Sequence, residues 1–231
     1  MKRAALFTEL PDEKRNGLAN PVTEIALILF CVLVAEWAIL PLFGKGSMMG
    51  AIPVGSAFVI MILSHWFRRE SPRELGWRFD NFWRCIALML PVMFLATAVL
   101  ILIGWLCGSL RITGGARPGW NTPVVFVGLF AWGLVQQYAL QGFLNRRAQE
   151  IWGKGSASVL FAASLFAFFH MPNFWLAIAT FFGGLLWAWA YQRSPNLIAL
   201  GLSHAVMSVI LVLTVPYSSL HGMRVGYGYF Q

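Results

Sequence analysis

Acidic residues are scarce in this sequence, and its last third has none. Only nine of the 231 residues are Asp or Glu: Glu9, Asp12, Glu13, Glu24, Glu36, Glu70, Glu74, Asp80 and Glu150. A mechanism that needs two carboxylates in the second half of the chain therefore starts in difficulty. Charge of both signs is low, at 11% of residues, against about 25% in a soluble domain. Cysteine is nearly absent too. Cys31, Cys85 and Cys107 each fall inside an apolar run, with neither metal-ligand spacing nor a disulfide framework, so they read as small buried apolar side chains. These absences exclude a disordered chain, a disulfide scaffold and an ordinary soluble enzyme.

What is present is apolar. Hydrophobic residues make up 58% of the chain, its mean hydropathy is +0.68 and it holds 11 Trp. A helix needs about 20 apolar residues to cross a hydrocarbon core about 30 Å thick. Runs of that kind lie at 22–43, 48–67, 85–107, 122–144, 157–171, 174–191 and 197–215. They predict an all-α, polytopic transmembrane bundle of about seven spans. The fifth is short, and Met171-Pro172-Asn173 turns directly into the sixth, so this pair reads either as two spans or as a helical hairpin ending inside the bilayer. The expected organisation is an N-terminal segment 1–21, a transmembrane domain 22–215 and a short tail 216–231. The first segment mixes both charge signs without a continuous apolar core, unlike a cleavable signal peptide. The first apolar run would serve as an uncleaved anchor.

The 17 Lys and Arg give a net charge of +8. In so apolar a chain they report orientation and lipid headgroups rather than nucleic acid. Thirteen fall on one side: Lys2, Arg3, Lys14 and Arg15, then Arg68, Arg69, Arg73, Arg78 and Arg84, then Arg146, Arg147 and Lys154, and lastly Arg193. Lys45, Arg111, Arg117 and Arg224 are the four on the other. The bias predicts a cytoplasmic N-terminus.

Polar side chains within the spans cluster. The fourth run holds Gln136, Gln137 and Gln141, the fifth ends on His170, and the seventh carries His204 and Ser208. At the rise of an α-helix, Gln136 and His204 lie about 14 and 12 Å from the cytoplasmic ends of their helices, and His170 about 20 Å. Gln137 and Gln141 are four residues apart, as are His204 and Ser208, so each pair is expected on one stripe of its helix. Hydrogen bonding between helices is the ordinary use of such groups. Three clusters at similar depth point instead to a shared cavity.

These residues resemble the CAAX protease and bacteriocin-processing (CPBP) membrane family. Its pattern is EExxxR on one helix, FxxxH on the next and HxxxN further on. The second motif stands as Phe166-Ala-Phe-Phe-His170, and the third begins at His204 but ends in Ser208. The first aligns as Gln136-Gln137-Tyr-Ala-Leu-Gln141, continuing Gly142-Phe143-Leu144. With the Leu75-Gly76-Trp77-Arg78 stretch, the resemblance covers residues 70–215, its motif helices lying at about 122–215. It implies a CPBP-type intramembrane endopeptidase fold, a bacterial inner-membrane location, no cofactor and no metal. It also implies a membrane-embedded or lipid-modified peptide as substrate or partner, besides lipid.

The departures fall where the chemistry belongs. The resemblance assigns water activation to motif-one glutamate with the histidines, and oxyanion support to the Asn position. A buried carboxylate can have its pKa raised and accept a proton. A glutamine amide orients water but cannot take its proton. The Arg position has changed together with the two acids, as expected of a remodelled site, since an unpaired buried charge is costly. Gln136, Gln137, His170, His204 and Ser208 are thus the candidate catalytic positions, with Gln141 and Phe166 as structural motif positions. Glu36 is the one acid well inside a predicted span and the candidate displaced carboxylate. Its other reading is a hydrogen-bonded acid that fixes helix packing. A zinc site on His170 and His204 lacks a third ligand, with neither His65 nor His221 suited to the role. A serine mechanism on Ser203 or Ser208 lacks an orienting acid. Two readings remain: an endopeptidase with an altered site, and a catalytically inactive relative acting as a membrane binding, immunity or assembly partner.

Overall fold

A computed structural model describes residues 20–44, 47–110 and 123–231. The N-terminal charges, Lys45, Arg111 and Arg117 lie outside the described residues. All elements among the described residues are helical, and six helices are long and apolar enough to cross a membrane. The protein is an integral membrane protein, with a lipid environment around its exposed aromatic and aliphatic side chains. The chain divides into two compact units, one ending at Glu70 and the other running Ser71–Gln231.

The first unit is a helical hairpin. Helix α1, Pro21–Phe43, starts at Asn20, whose side chain accepts from Val22 N at 2.9 Å, with Pro21 at the first helical position. Both are ordinary helix-start chemistry. At Ala35–Ile39 the helix widens to i→i+5 hydrogen bonding. Pro41 follows and has no N–H to give to Trp37, a common origin of such a bulge. Helix α2, Met48–Phe67, returns against α1. Near the charged end of the hairpin, buried Glu24 accepts from Ser64 Oγ at 2.7 Å and from Arg68 Nη2 at 3.1 Å. His65, in the last turn of α2, is buried, with Nδ1 2.6 Å from Glu70 Oε2.

The second unit opens with a short helix, α3 (Pro72–Leu75), closed by a Ser71–Glu74 capping box. Gly76 follows at φ 100°, and a Cβ there would lie 3.0 Å from Leu197 N. Both the left-handed conformation and the close approach require glycine. Gly76 O accepts from Leu197 N at 2.9 Å, and Tyr191 donates to Leu75 O at 2.9 Å. The Leu75–Arg78 stretch is thereby tied to the start of a later motif helix.

Asp80 accepts from Arg78 Nε at 2.8 Å and from Arg73 at 3.1 Å. The Arg78 hydrogen bond holds its carboxyl down at about 2, from the usual 3.8. Because the folded value is depressed, the pairing is complete above the ordinary carboxylate range and is lost as pH falls toward 2. Arg78→Gln should return Asp80 toward the ordinary range, read by carboxyl-carbon NMR titration.

Helix α4, Phe82–Leu106, leads to α5, which is built from Pro123–Gln137, a wide-turn segment Tyr138–Asn145 and Arg146–Trp152. Helices α6 (Ser156–Phe168), α7 (Phe174–Arg193) and α8 (Leu197–Thr214) complete the bundle. Helix α6 has 13 residues, about 20 Å at the helical rise, shorter than the six candidate spans. Two boundaries differ from expectation. Helix α5 runs on to Trp152, so Arg147 is fully buried within it rather than a loop charge, bonded to Glu150 at 2.7 Å and lying over the Phe143 ring. Cys31 and Cys85 are buried, but Cys107, just past the end of α4, is exposed.

Helix α5 packs on α8, α6 on α7, and α4 on α8. Small residues set the approach, as in membrane bundles generally. A Cβ on Gly133 of α5 would lie 3.0 Å from Gly201 O of α8, and one on Gly201 would lie 2.7 Å from Leu134 Cδ2. On the α6–α7 contact, a Cβ on Gly184 would lie 2.9 Å from Ala163 Cα. Gly184→Ala should therefore force backbone movement and cost about 1–3 kcal/mol, measured as a lower unfolding temperature in detergent.

Candidate functional site

The motif glutamines of α5 lie on either side of the start of its wide turn. Gln137 ends the regular first part of the helix, and i→i+5 bonding begins at Tyr138. Gln137 and Gln141, four residues apart, nevertheless take different partners. The two amides enter separate networks.

Gln137 is fully buried and faces α8, where its Nε2 donates to His204 Nδ1 at 3.2 Å. That bond leaves the imidazole proton on His204 Nε2. The close Gly133–Gly201 crossing one turn away brings the two helices near enough for it. Gln137 Oε1 is buried without a partner among the described residues. Gln136 is half-buried and makes no hydrogen bond to another described residue.

His170 lies in the turn after α6. Its Nδ1–H donates to Phe166 O at 2.6 Å, one helical turn back. A carbonyl can only accept, so in the neutral ring Nε2 is the bare acceptor nitrogen. Phe166 is the hub of the cluster. Its ring meets His170 edge-on at 4.7 Å and His204 edge-on at 5.7 Å. FxxxH spacing thus supplies both the carbonyl that sets the His170 tautomer and the ring on which the two histidines rest. Trp187 of α7 stacks on the His204 ring at 4.6 Å and 20°. Its Nε1 donates to Ser203 Oγ at 2.9 Å, and Ser203 donates onward to Leu200 O at 2.8 Å. The Ser203 hydroxyl is engaged on both sides as a clamp on Trp187. Ser208 is buried one turn beyond His204, with no hydrogen bond to a described residue.

Gln141 belongs to the second network. Its Oε1 accepts from Asn145 Nδ2 at 2.8 Å, and its Nε2 is buried without a partner among the described residues. Asn145 Oδ1 accepts from Gln149 at 3.2 Å and from Gln192 of α7 at 3.1 Å. Gln192 reaches on to Ser158 Oγ at 2.9 Å. This network ties the wide turn to α6 and α7 through neutral groups. Glu36, in the first unit, sits half-buried in the wide turn of α1. Among the described residues, no three His, Cys, Asp or Glu side chains are grouped to hold a metal ion.

Trp187, Asn145 and Gln192 did not stand out in the sequence, and Ser203 stood out only as a possible nucleophile, not as the clamp on Trp187. Trp187 is one Trp among eleven, and nothing local marks the one that stacks on an imidazole.

In chemical terms the cluster pairs an unprotonated acceptor nitrogen on His170 with an N–H donor on His204, flanked by amides and walled by aromatic rings. This is the core of a polytopic helical membrane protein with the motif order of an intramembrane hydrolase. Residues 118–210 match the family model described as Type II CAAX prenyl endopeptidase Rce1-like. That segment carries all three motif positions, and over it the chain is similar to the CPBP/CAAX protease family. No curated protein and no solved structure matches the chain.

Proposed function

We propose that this CAAX protease-like membrane protein binds a membrane-embedded or lipid-modified peptide segment without cleaving it. It would sit in a bacterial inner membrane with its N-terminus in the cytoplasm. The observation that carries this reading is the Gln137–His204 hydrogen bond. Where hydrolysis calls for a carboxylate to take a proton from water, an amide with no such capacity is bonded to the imidazole. Gln137 Oε1 and Gln141 Nε2 support binding as the retained role. An unpaired buried acceptor or donor costs about 1–3 kcal/mol, a burden that a ligand offering an N–H and a C=O would relieve. Gln136 and Gln137 would orient that ligand's amide, His170 Nε2 and His204 Nε2–H would bracket it, and Ser208 would take the place of the family's Asn.

One observation favours a second reading, an endopeptidase using Glu36 as a displaced base. The only acid well inside an apolar run sits in a wide helical turn, a feature frequent at functional sites.

Purified protein in lipid vesicles, given prenylated and transmembrane reporter peptides that carry a photo-cross-linker, tests both. The binding reading expects His170-dependent cross-linking and intact reporter. Wild-type cleavage that disappears in both His170→Ala and Glu36→Gln would overturn it in favour of the second.

A further inference from the structure

The family match ends at residue 210, but the chain beyond it returns to the motif cluster. Helix α9, Tyr217–Leu220, and the turns after it fold back onto the His170-bearing turn. Leu220 is buried with Leu176 and Leu211. Asn173 is fully buried, and both amide hydrogens are used on the tail: Nδ2 donates to Leu220 O at 2.6 Å and to Arg224 O at 3.1 Å. Its Oδ1 accepts from Leu176 N at 3.3 Å and so caps α7. A third tie is main chain to main chain, Gly226 N to Met171 O at 2.9 Å. Between these anchors lies one short turn, closed by Asn173 N to His170 O at 3.1 Å.

We infer that the C-terminal segment 217–226 is a strap that sets the position of His170, with Asn173 as the positioning residue through which it acts. A turn alone can pivot about the end of α6, carrying the imidazole with it. Fixing Met171 and Asn173 on one side of His170, while Phe166 O holds Nδ1 on the other, removes that freedom. The tail enters these ties only through main-chain groups, the carbonyls of Leu220 and Arg224 and the N–H of Gly226, so it works through backbone shape more than through side-chain identity. The inference rests on the site reading above only for the importance of His170.

The test uses the full chain in lipid vesicles, compared with Asn173→Asp, Asn173→Ser and a chain ended at Val215. Asp keeps the cap on α7 but sets a carboxylate against two carbonyls. Two readouts need no turnover: nitrogen-15 NMR of labelled histidine, assigned with His170→Asn, and the rate of carboethoxylation by diethyl pyrocarbonate, mapped by peptide mass spectrometry. Losing the strap should move the His170 resonances and speed its modification about tenfold, the scale of local opening on losing two such hydrogen bonds. His204, held on α8, should keep its resonances and its rate. Unchanged His170 in all three variants overturns the strap. Equal change at both histidines, or loss of fold in all three, overturns it too, because the tail would then be a general stabilising element. A wild-type chain that binds no peptide would sink the proposed function and leave these readouts untouched.

Discussion

Replacing Gln136 and Gln137 together by glutamate should raise cleavage of a membrane-embedded peptide by at least about 10²-fold over the wild-type chain, the scale of general-base catalysis. Gln137 is fully buried and within hydrogen-bond reach of His204 Nδ1, so a carboxylate of the same length falls where the amide now sits. A carboxylate there can take a proton from water, which the amide cannot. His170 already presents a bare Nε2, because its Nδ1 proton is given to Phe166 O. The proton inventory therefore lacks one acceptor, and the double substitution adds it. Adding His170→Ala should abolish the gain, whereas Glu36→Gln should leave it unaltered. A folded double variant with no cleavage of any reporter would refute the view that the amides are what silence the site.

Asn145→Leu should cost about 3 kcal/mol of stability, among the largest effects of any single change in the bundle. Asn145 is fully buried at the end of the wide turn and bonds to Gln141, Gln149 and Gln192. Leucine has the same branched skeleton and is somewhat larger, so the loss comes from stranded polar groups and crowding and not from a cavity. Gln141 loses the donor to its Oε1 while its Nε2 already lacks a partner among the described residues. Gln192 keeps Ser158 but loses the link to α5. Each buried polar atom so stranded costs about 1–3 kcal/mol. Detergent-induced unfolding of variant and wild type measures the difference. Asn145→Asp, which retains the acceptor for Gln149 and Gln192, should lose less.

The helices were legible because each needs only a run of apolar residues, a local property that the bilayer imposes. The motif positions were legible because FxxxH and its neighbours are short and spaced by helical turns. The apolar runs place Arg147 between two spans, because nothing in a run of polar letters reveals that the helix continues with a guanidinium buried inside it. That Gln137 and Gln141 take different partners was not legible either, because spacing along one helix does not say which neighbouring side chain each amide meets.

By itself the sequence determined that the chain lives in a membrane and that its motif-one positions are amides. It also left no acid after Glu150 to replace them. Those are matters of composition, and no fold can alter them. Only the tertiary structure decided that Gln137 meets His204 while Gln141 turns to Asn145, that Trp187 stacks on an imidazole, and that Asn173 is tied to the tail. Such contacts depend on the angles and close approach of helices far apart in the chain. Those are set by glycines, a widened turn and buried hydrogen bonds acting at once.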